Sequence, residues 1–405
     1  MSKSVAAVLG VVLALAGFSL GRYTTSESGG DEPWARARGA AAGGSISEAL
    51  QEADPFARAA RLAALLQSFG PEAEPEVREV LTQPQFDYGV VELELLVRFW
   101  ARHDAKAAAH WALSTAPQGC PAASISPAVE AWATREPRAV AESFSKTPVG
   151  PDSQPAELGL IRGWFASGQP GVDEYIRDMG ISFERQRALG VLVSLLIERD
   201  GPEAVQRWAE RFPDRDETWK LDIFRQVGTE LGAADPEAAV AWCDAHCDGP
   251  YGKNVRALIA LQWAARDGKA AMEWVGSAPG GEEQDNAAIA GYSAWLRRDP
   301  DAATAWVTAM GIDGVPPWFL PSMGRYVMAM ARKDPLQATE WAALIPDEDN
   351  RRRALITIFK HWRYRDEAAA EEWLARSPLS EEARQKAREW APTELPSLHP
   401  KAAPP

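Results

Sequence analysis

The residue types best suited to chemistry stand in one short stretch, Cys-Asp-Ala-His-Cys at 243–247. Spaced by three and four, Cys243, His246 and Cys247 share one side of a helix. Two thiols and an imidazole are soft ligands that suit zinc, but a closed zinc site takes four ligands. No fourth candidate is evident in the sequence, so the stretch reads as packing residues or as a bridge between the two cysteines, and no metal is expected. Cys120 is the remaining cysteine, which limits the chain to one disulfide. The basic run Arg351–Arg353 follows Asp347, Glu348 and Asp349 and reads as a solvated face with local ion pairs. Histidines at 103, 110, 246, 361 and 399 are scattered. Gly-x-Ser-x-Gly, a phosphate loop and His-Glu-x-x-His do not occur. Carboxylates are many, but abundance without geometry names no catalytic pair. No catalytic residue and no cofactor is assigned.

Whatever site exists must be positioned by a repeat. With Asp267 as anchor, equivalent positions hold Asp104, Glu136, Gly168, Asp200, Asp235, Asp299, Asp334 and Asp366. Six of the eight intervals are 32 residues and two are 35. Four residues before the anchor stand Trp100, Trp132, Trp164, Trp263, Trp295 and Trp362. Seven or eight after it stand Trp111, Phe144, Tyr175, Trp208, Trp242, Trp274, Trp306, Trp341 and Trp373. Thirteen of the seventeen tryptophans thus occupy two repeat positions, with a small residue such as Ala108, Val140 or Ala271 between anchor and second aromatic. Aspartate is a good helix N-cap, and Pro236, Pro300 and Pro335 follow it where a first helical residue needs no amide partner. Leu93, Leu96, Val97 and Trp100 share a helical face upstream, as do Ala338, Trp341 and Ile345 downstream.

Each unit is therefore predicted to be an antiparallel pair of helices whose aromatic rings meet within the pair. A lone pair cannot cover both faces, and stacked neighbours do. The expected fold is an all-α solenoid of about nine helix-turn-helix repeats of 32–35 residues, with helical caps. Asp54-Pro55 opens an amino-terminal cap helix to about Phe69, and another spans about 74–83; Ser380 caps a last helix to Trp390. The aromatic, short acidic turn, alanine, aromatic and terminal proline resemble tetratricopeptide-like helical repeats over roughly residues 89–379. The pattern also resembles uncharacterised exported bacterial repeat proteins. The tetratricopeptide resemblance implies a right-handed superhelix that binds peptides or proteins, and it implies no reaction.

Lys3 precedes an uncharged, mainly apolar run from Val5 to Gly21. At 17 residues it is just long enough to span a bilayer. Residues 1–22 read as an uncleaved single-pass anchor or, through Ala14-Leu15-Ala16, as a cleaved signal. Lys3 and the amino terminus slightly outweigh Arg22, which puts the body outside the cytoplasm. The expected location is the cell envelope, with an inner-membrane anchor and a periplasmic body. Residues 23–46 read as a flexible linker, 47–392 as the repeat domain and 393–405 as a disordered tail. Contact with the membrane is expected through the amino-terminal segment only. A net charge of −14 repels phosphate backbones, so no nucleic-acid partner is expected.

The two 35-residue intervals carry the strongest functional hint. Each adds residues between one unit's second helix and the next unit's first, and each brings an aromatic outside the repeat positions. The first holds Trp219; the second, Val-Pro-Pro-Trp-Phe from 315 to 319, holds Trp318 and Phe319. Loop aromatics on one edge can form a partner-binding patch; the competing reading is that they fill gaps between neighbouring hairpins. The leading expectation is a membrane-tethered scaffold for a protein or peptide partner. Alternatives are an α/α-toroid-like enzyme acting on a glycan or polyprenoid, and a structural envelope spacer.

Overall fold

The computed structural model describes residues 44–82, 89–115, 122–146, 154–214 and 216–389. The expected anchor, nearly all of the expected linker, Cys120 and the expected tail lie outside these residues. Among the described residues there are 22 α-helices and no strand, and no helix is long and apolar enough to cross a membrane. The chain forms two compact units, Met1–Leu192 and Val193–Pro405.

In the amino-terminal unit, α1 (Ile46–Leu50), α2 (Pro55–Ser68) and α3 (Glu74–Thr82) precede three hairpins. These are α4 (Val90–His103) with α5 (Ala105–Thr115), α6 (Ala122–Arg135) with α7 (Pro137–Lys146), and α8 (Gln154–Ser167) with α9 (Val172–Asp178). The division between units falls inside α10 (Phe183–Asp200). The carboxy-terminal unit continues with α11 (Pro202–Glu210), then α12 (Glu217–Ala234) with α13 (Pro236–His246), and α14 (Val255–Ala264) with α15 (Gly268–Ser277). It goes on through α16 (Glu282–Arg298) with α17 (Pro300–Met310), α18 (Met323–Met330) with α19 (Pro335–Trp341), and α20 (Glu348–Arg365) with α21 (Glu367–Arg376), and closes on α22 (Glu381–Arg388). Within each unit, first helices pack on the first helices of neighbouring hairpins, and each packs on its own second helix. The fold is an all-α array of helical hairpins packed in sequence order.

An aspartate makes the bend in six hairpins. At Asp104, Asp235, Asp267, Asp299, Asp334 and Asp366 the backbone leaves helical geometry, with φ between −149° and −133° and ψ between 82° and 93°. The aspartate amide donates to the carbonyl four residues back at 2.7–2.9 Å, closing the first helix. Its carboxylate accepts from the amide three residues on at 2.9–3.1 Å, opening the second. Both ends of the bend are thereby satisfied, as helix termini require. Three units depart from the aspartate rule: in one, Glu136 stands at the corner, its amide donating to the Trp132 carbonyl at 2.9 Å, and in the other two the bend has moved. The second helices α9 and α11 start from Gly171 (φ 114°) and Gly201 (φ 84°), not from the anchor positions 168 and 200. Glycine reaches that left-handed backbone without the steric cost other residues carry, so a different corner serves there. Asp200 pairs instead with Arg199 at 2.8 Å.

The rings meet as their spacing requires. Trp100 and Trp111 have centroids 5.6 Å apart, Trp263 and Trp274 5.9 Å, Trp295 and Trp306 5.5 Å, and Trp362 and Trp373 6.2 Å. Trp164 and Tyr175 make the same pair at 5.6 Å. No tryptophan of the two repeat positions is exposed. Ala108, Val140, Ala239, Ala271, Ala303, Ala338 and Ala370 are fully buried between the helices of their hairpins, where a larger side chain would hold the rods apart.

Two further devices join one hairpin to the next. The residue before the corner reaches back 33 residues to a carbonyl at the end of the preceding hairpin's first helix or just past it: Arg135 to Arg102 (2.6 Å), Arg266 to Ala233, and Arg365 to Arg332 (2.7 Å). The first two carbonyls lie in the last turn of a helix and the third in the turn that follows one, where intrahelical partners run out. Glycines also admit close backbone approach. A Cβ on Gly159 or Gly163 of α8 would lie closer than 3.0 Å to backbone atoms of α6.

The cap helices expected at both ends are present. Asp54 accepts from the amides of Phe56 and Ala57, and Ser380 accepts from Ala383. The expected boundary between linker and repeat domain, at 46, falls at the first residue of α1. Ser45 and Glu48 form a reciprocal capping box that starts α1, Ile46 is fully buried, and its amide donates to Glu76 at 3.2 Å. That short helix packs on both α2 and α3.

Candidate functional site

The insertions mark the candidate site, and both lie in the carboxy-terminal unit. After α11 the first insertion runs to Asp216, whose carboxylate caps α12 by accepting from the Trp219 amide. Trp219 then stands in the first turn of α12 and points inward. Its ring meets Phe212 edge-on at 6.1 Å, and Phe212 meets Trp208 at 5.2 Å. Trp219 is 2% exposed. The next residue, Lys220, lies over the rings of Tyr251 (4.9 Å) and Phe224 (5.6 Å) and pairs with Asp214 at 2.5 Å. Asp214 also accepts from the Tyr251 hydroxyl. The hydrogen bond from Lys220, with its charge, holds the Asp214 carboxyl below the usual range. Lys220, Asp214 and Tyr251 thus tie the first insertion to the loop that follows α13.

That loop leaves from the Cys-Asp-Ala-His-Cys stretch. Cys243 and Cys247 form a disulfide within the last turn of α13, so of the readings open for this stretch the bridge is the one realised. Between them, His246 lies against Trp242 with ring centroids 4.0 Å apart and meets Phe224 at 5.0 Å. Its Nε2 is 3.2 Å from Glu210 Oε1. Among the described residues no group of three or more His, Cys, Asp or Glu side chains is placed to hold a metal ion.

Burial pushes the His246 imidazole below its ordinary value of 6.5, and the Glu210 carboxylate opposes this only in part. The unfolded imidazole then takes its proton near pH 6.5, while the folded one waits for lower pH. Within that window the unfolded state binds more protons, so stability is complete above it and falls as the pH drops through it. Urea unfolding at about pH 7.5 and pH 5.5 is expected to show a larger acid loss for the wild type than for His246→Gln. Equal losses would show that this imidazole does not couple to folding.

The second insertion is built differently. Three-ten turns at Ile312–Gly314 and Pro317–Ser322 replace the usual start of a first helix, and the latter packs on α16. Phe319 is fully buried, edge-on to Tyr292 (4.8 Å) and Trp306 (5.5 Å). Trp318 stands 5.7 Å from Phe319, and its ring reaches back over Gly276 on α15, where any Cβ would collide with it. Trp318 is half-buried.

Two of the three expected contact residues therefore need correction. Trp219 and Phe319 are core rings whose partners come from adjoining helices, and neither presents a face to a ligand. Trp318 alone keeps open surface. The two insertions do not share a cluster either: Trp219 packs with rings at 208 and 212, whereas Trp318 and Phe319 pack within residues 276–319. Sequence reasoning missed Lys220, Asp214 and Tyr251, whose meeting depends on two loops that are far apart in the chain. An open groove of about 420 Å³ lies elsewhere in this unit, lined by Ala305, Ala309 and Met330, with the Asp301–Lys333 ion pair at its rim.

Comparison with family models, with curated proteins and with solved structures found no match to this chain.

Proposed function

We propose that this chain is an exported, membrane-tethered scaffold that binds a protein or peptide partner, with the edge around Trp318 as part of its contact surface. The reading rests on one observation above all: where the all-α hairpin array adds residues between one hairpin and the next, before α18, it displays a half-buried indole beside two prolines. Stacked helical hairpins offer long surfaces whose contact residues vary without cost to the core, and half-exposed tryptophan is a frequent anchor of protein interfaces. The tetratricopeptide-like pattern of aromatics and acidic turns agrees with this use. A disulfide in α13 agrees with an oxidising compartment, as does the apolar segment at residues 5–21.

The test is site-specific photo-crosslinking in intact cells, with the reactive residue at Pro317 and, as a comparison, at Asp301. Discrete partner bands from Pro317 that vanish when Trp318→Ala is added are the expected result. The same bands from both sites, or bands that survive Trp318→Ala, would overturn the assignment of this edge.

A further inference from the structure

We infer that the Cys243–Cys247 bridge is a redox-controlled latch that sets the order of the loop 248–254 and, through it, of the first insertion. The bridge joins residues four apart whose backbones already share a helical hydrogen bond, Cys247 amide to Cys243 carbonyl at 2.8 Å. It closes so short a loop that it adds little to global stability by restricting the unfolded chain. Its effect is local. Cys243 is 1% exposed and Cys247 6%. Once reduced, the two sulfurs must separate to van der Waals distance, about 3.5–4 Å between heavy atoms, inside close-packed surroundings. Cys243 is held within the helix, beside Trp242. Cys247 is the residue through which the chain leaves it, so Cys247 gives way.

The loop has no slack to absorb that shift. Gly252 folds so tightly over Cys247 that a Cβ there would collide with its carbonyl. Asn254 carries a positive φ of 66°, and its amide donates to Glu283 of α16 at 2.9 Å. Asp248 pairs with Arg256 at 3.3 Å. Tyr251 lies on Phe224 at 5.5 Å and holds Asp214 of the insertion and Lys220 of α12. Moving Cys247 therefore loosens Tyr251 and frees Asp214 and Lys220 with it. The inference concerns order, not ligand, and stands apart from the binding reading above.

The chemistry is exchange with a dithiol. One thiolate of the reductant attacks Cys247 Sγ, the less buried sulfur, and the S–S bond breaks with Cys243 leaving as thiolate, which takes a proton. The second thiol of the reductant displaces Cys247, which is protonated in turn. Two electrons pass to the bridge, and the dithiol departs as its own disulfide.

Hydrogen exchange on the full chain tests this, with the wild type oxidised, the wild type in dithiothreitol, and Cys243→Ala/Cys247→Ala. Amides in 248–254 and 216–220 are expected to exchange about tenfold faster without the bridge, while those in 323–345 stay unchanged. The double variant removes the bridge however slowly the reductant reaches it, and dithiothreitol is expected to add nothing to it. Unchanged exchange at 248–254 in the double variant would overturn the latch. So would uniform acceleration across Val193–Pro405, which would make the bridge a general stabiliser.

Discussion

Gly163→Val is expected to cost the amino-terminal unit about 3 kcal/mol or more, among the largest single losses available to it. A Cβ at this position would lie closer than 3.0 Å to the Glu130 carbonyl oxygen, the Ala133 Cβ and the Thr134 amide nitrogen. Two of these are backbone atoms of α6 and cannot rotate away. The clash is resolved only by moving α8 off α6, which opens the contact along its whole length. Replacing helical glycine ordinarily gains up to about 1 kcal/mol, so the steric loss must exceed that gain. Gly324→Ala supplies the contrast: its Cβ would meet nothing within 4 Å, and it is expected to be neutral or slightly stabilising. Urea midpoints of the two variants decide it. A Gly163→Val protein as stable as the wild type would mean that α6 and α8 are not in backbone contact.

Trp295→Ala is expected to cost about 3–5 kcal/mol, the range for truncating a large core aromatic. Its ring meets Trp306 at 5.5 Å within its own hairpin and also lies flat against Gly268, the first residue of α15 in the hairpin before. The same ring thus fills both the hairpin and the seam behind it. The second contact gives the expectation its sharper form. Gly268→Ala alone places a methyl group inside the Trp295 ring and is expected to destabilise. In a Trp295→Ala background the methyl has room, and the substitution is expected to become neutral or favourable. A double-mutant cycle measures the difference, and additive effects would show that the two residues do not touch.

The corners were legible because each rests on local chemistry. An aspartate whose neighbours are a helix end and a helix start can serve both, and a tryptophan four residues before it and another seven after must face each other. The glycine corners at 171 and 201 were less so, because an anchor position occupied by Gly168 or Asp200 still looks like a corner when the bend has moved to a nearby glycine. The contacts of Gly163 with α6 and of Gly268 with Trp295 were not legible at all. They depend on which faces of two helices meet some thirty residues apart, and periodicity within one helix does not say. Trp219 and Phe319 show the same limit at the candidate site. In the sequence each is an aromatic in a stretch outside the regular spacing, as suited to plugging a gap as to meeting a partner. What decides is the ring it meets, Phe212 for one and Tyr292 with Trp306 for the other. Cysteines four apart likewise left packing and bridge open until their sulfurs were placed.

The tight corner has a consequence for how such a chain can change. Each helical residue advances the side chains by about 100°, so one residue added at a corner would turn the second helix's ring out of phase with its partner on the first. Nothing on that margin can lengthen. Additions stand on the opposite margin, where both three-residue extensions lie, and there a mismatch is taken up by a buried ring and, at the second, by three-ten turns. The array therefore keeps its metre on one side and leaves the other free for rewriting.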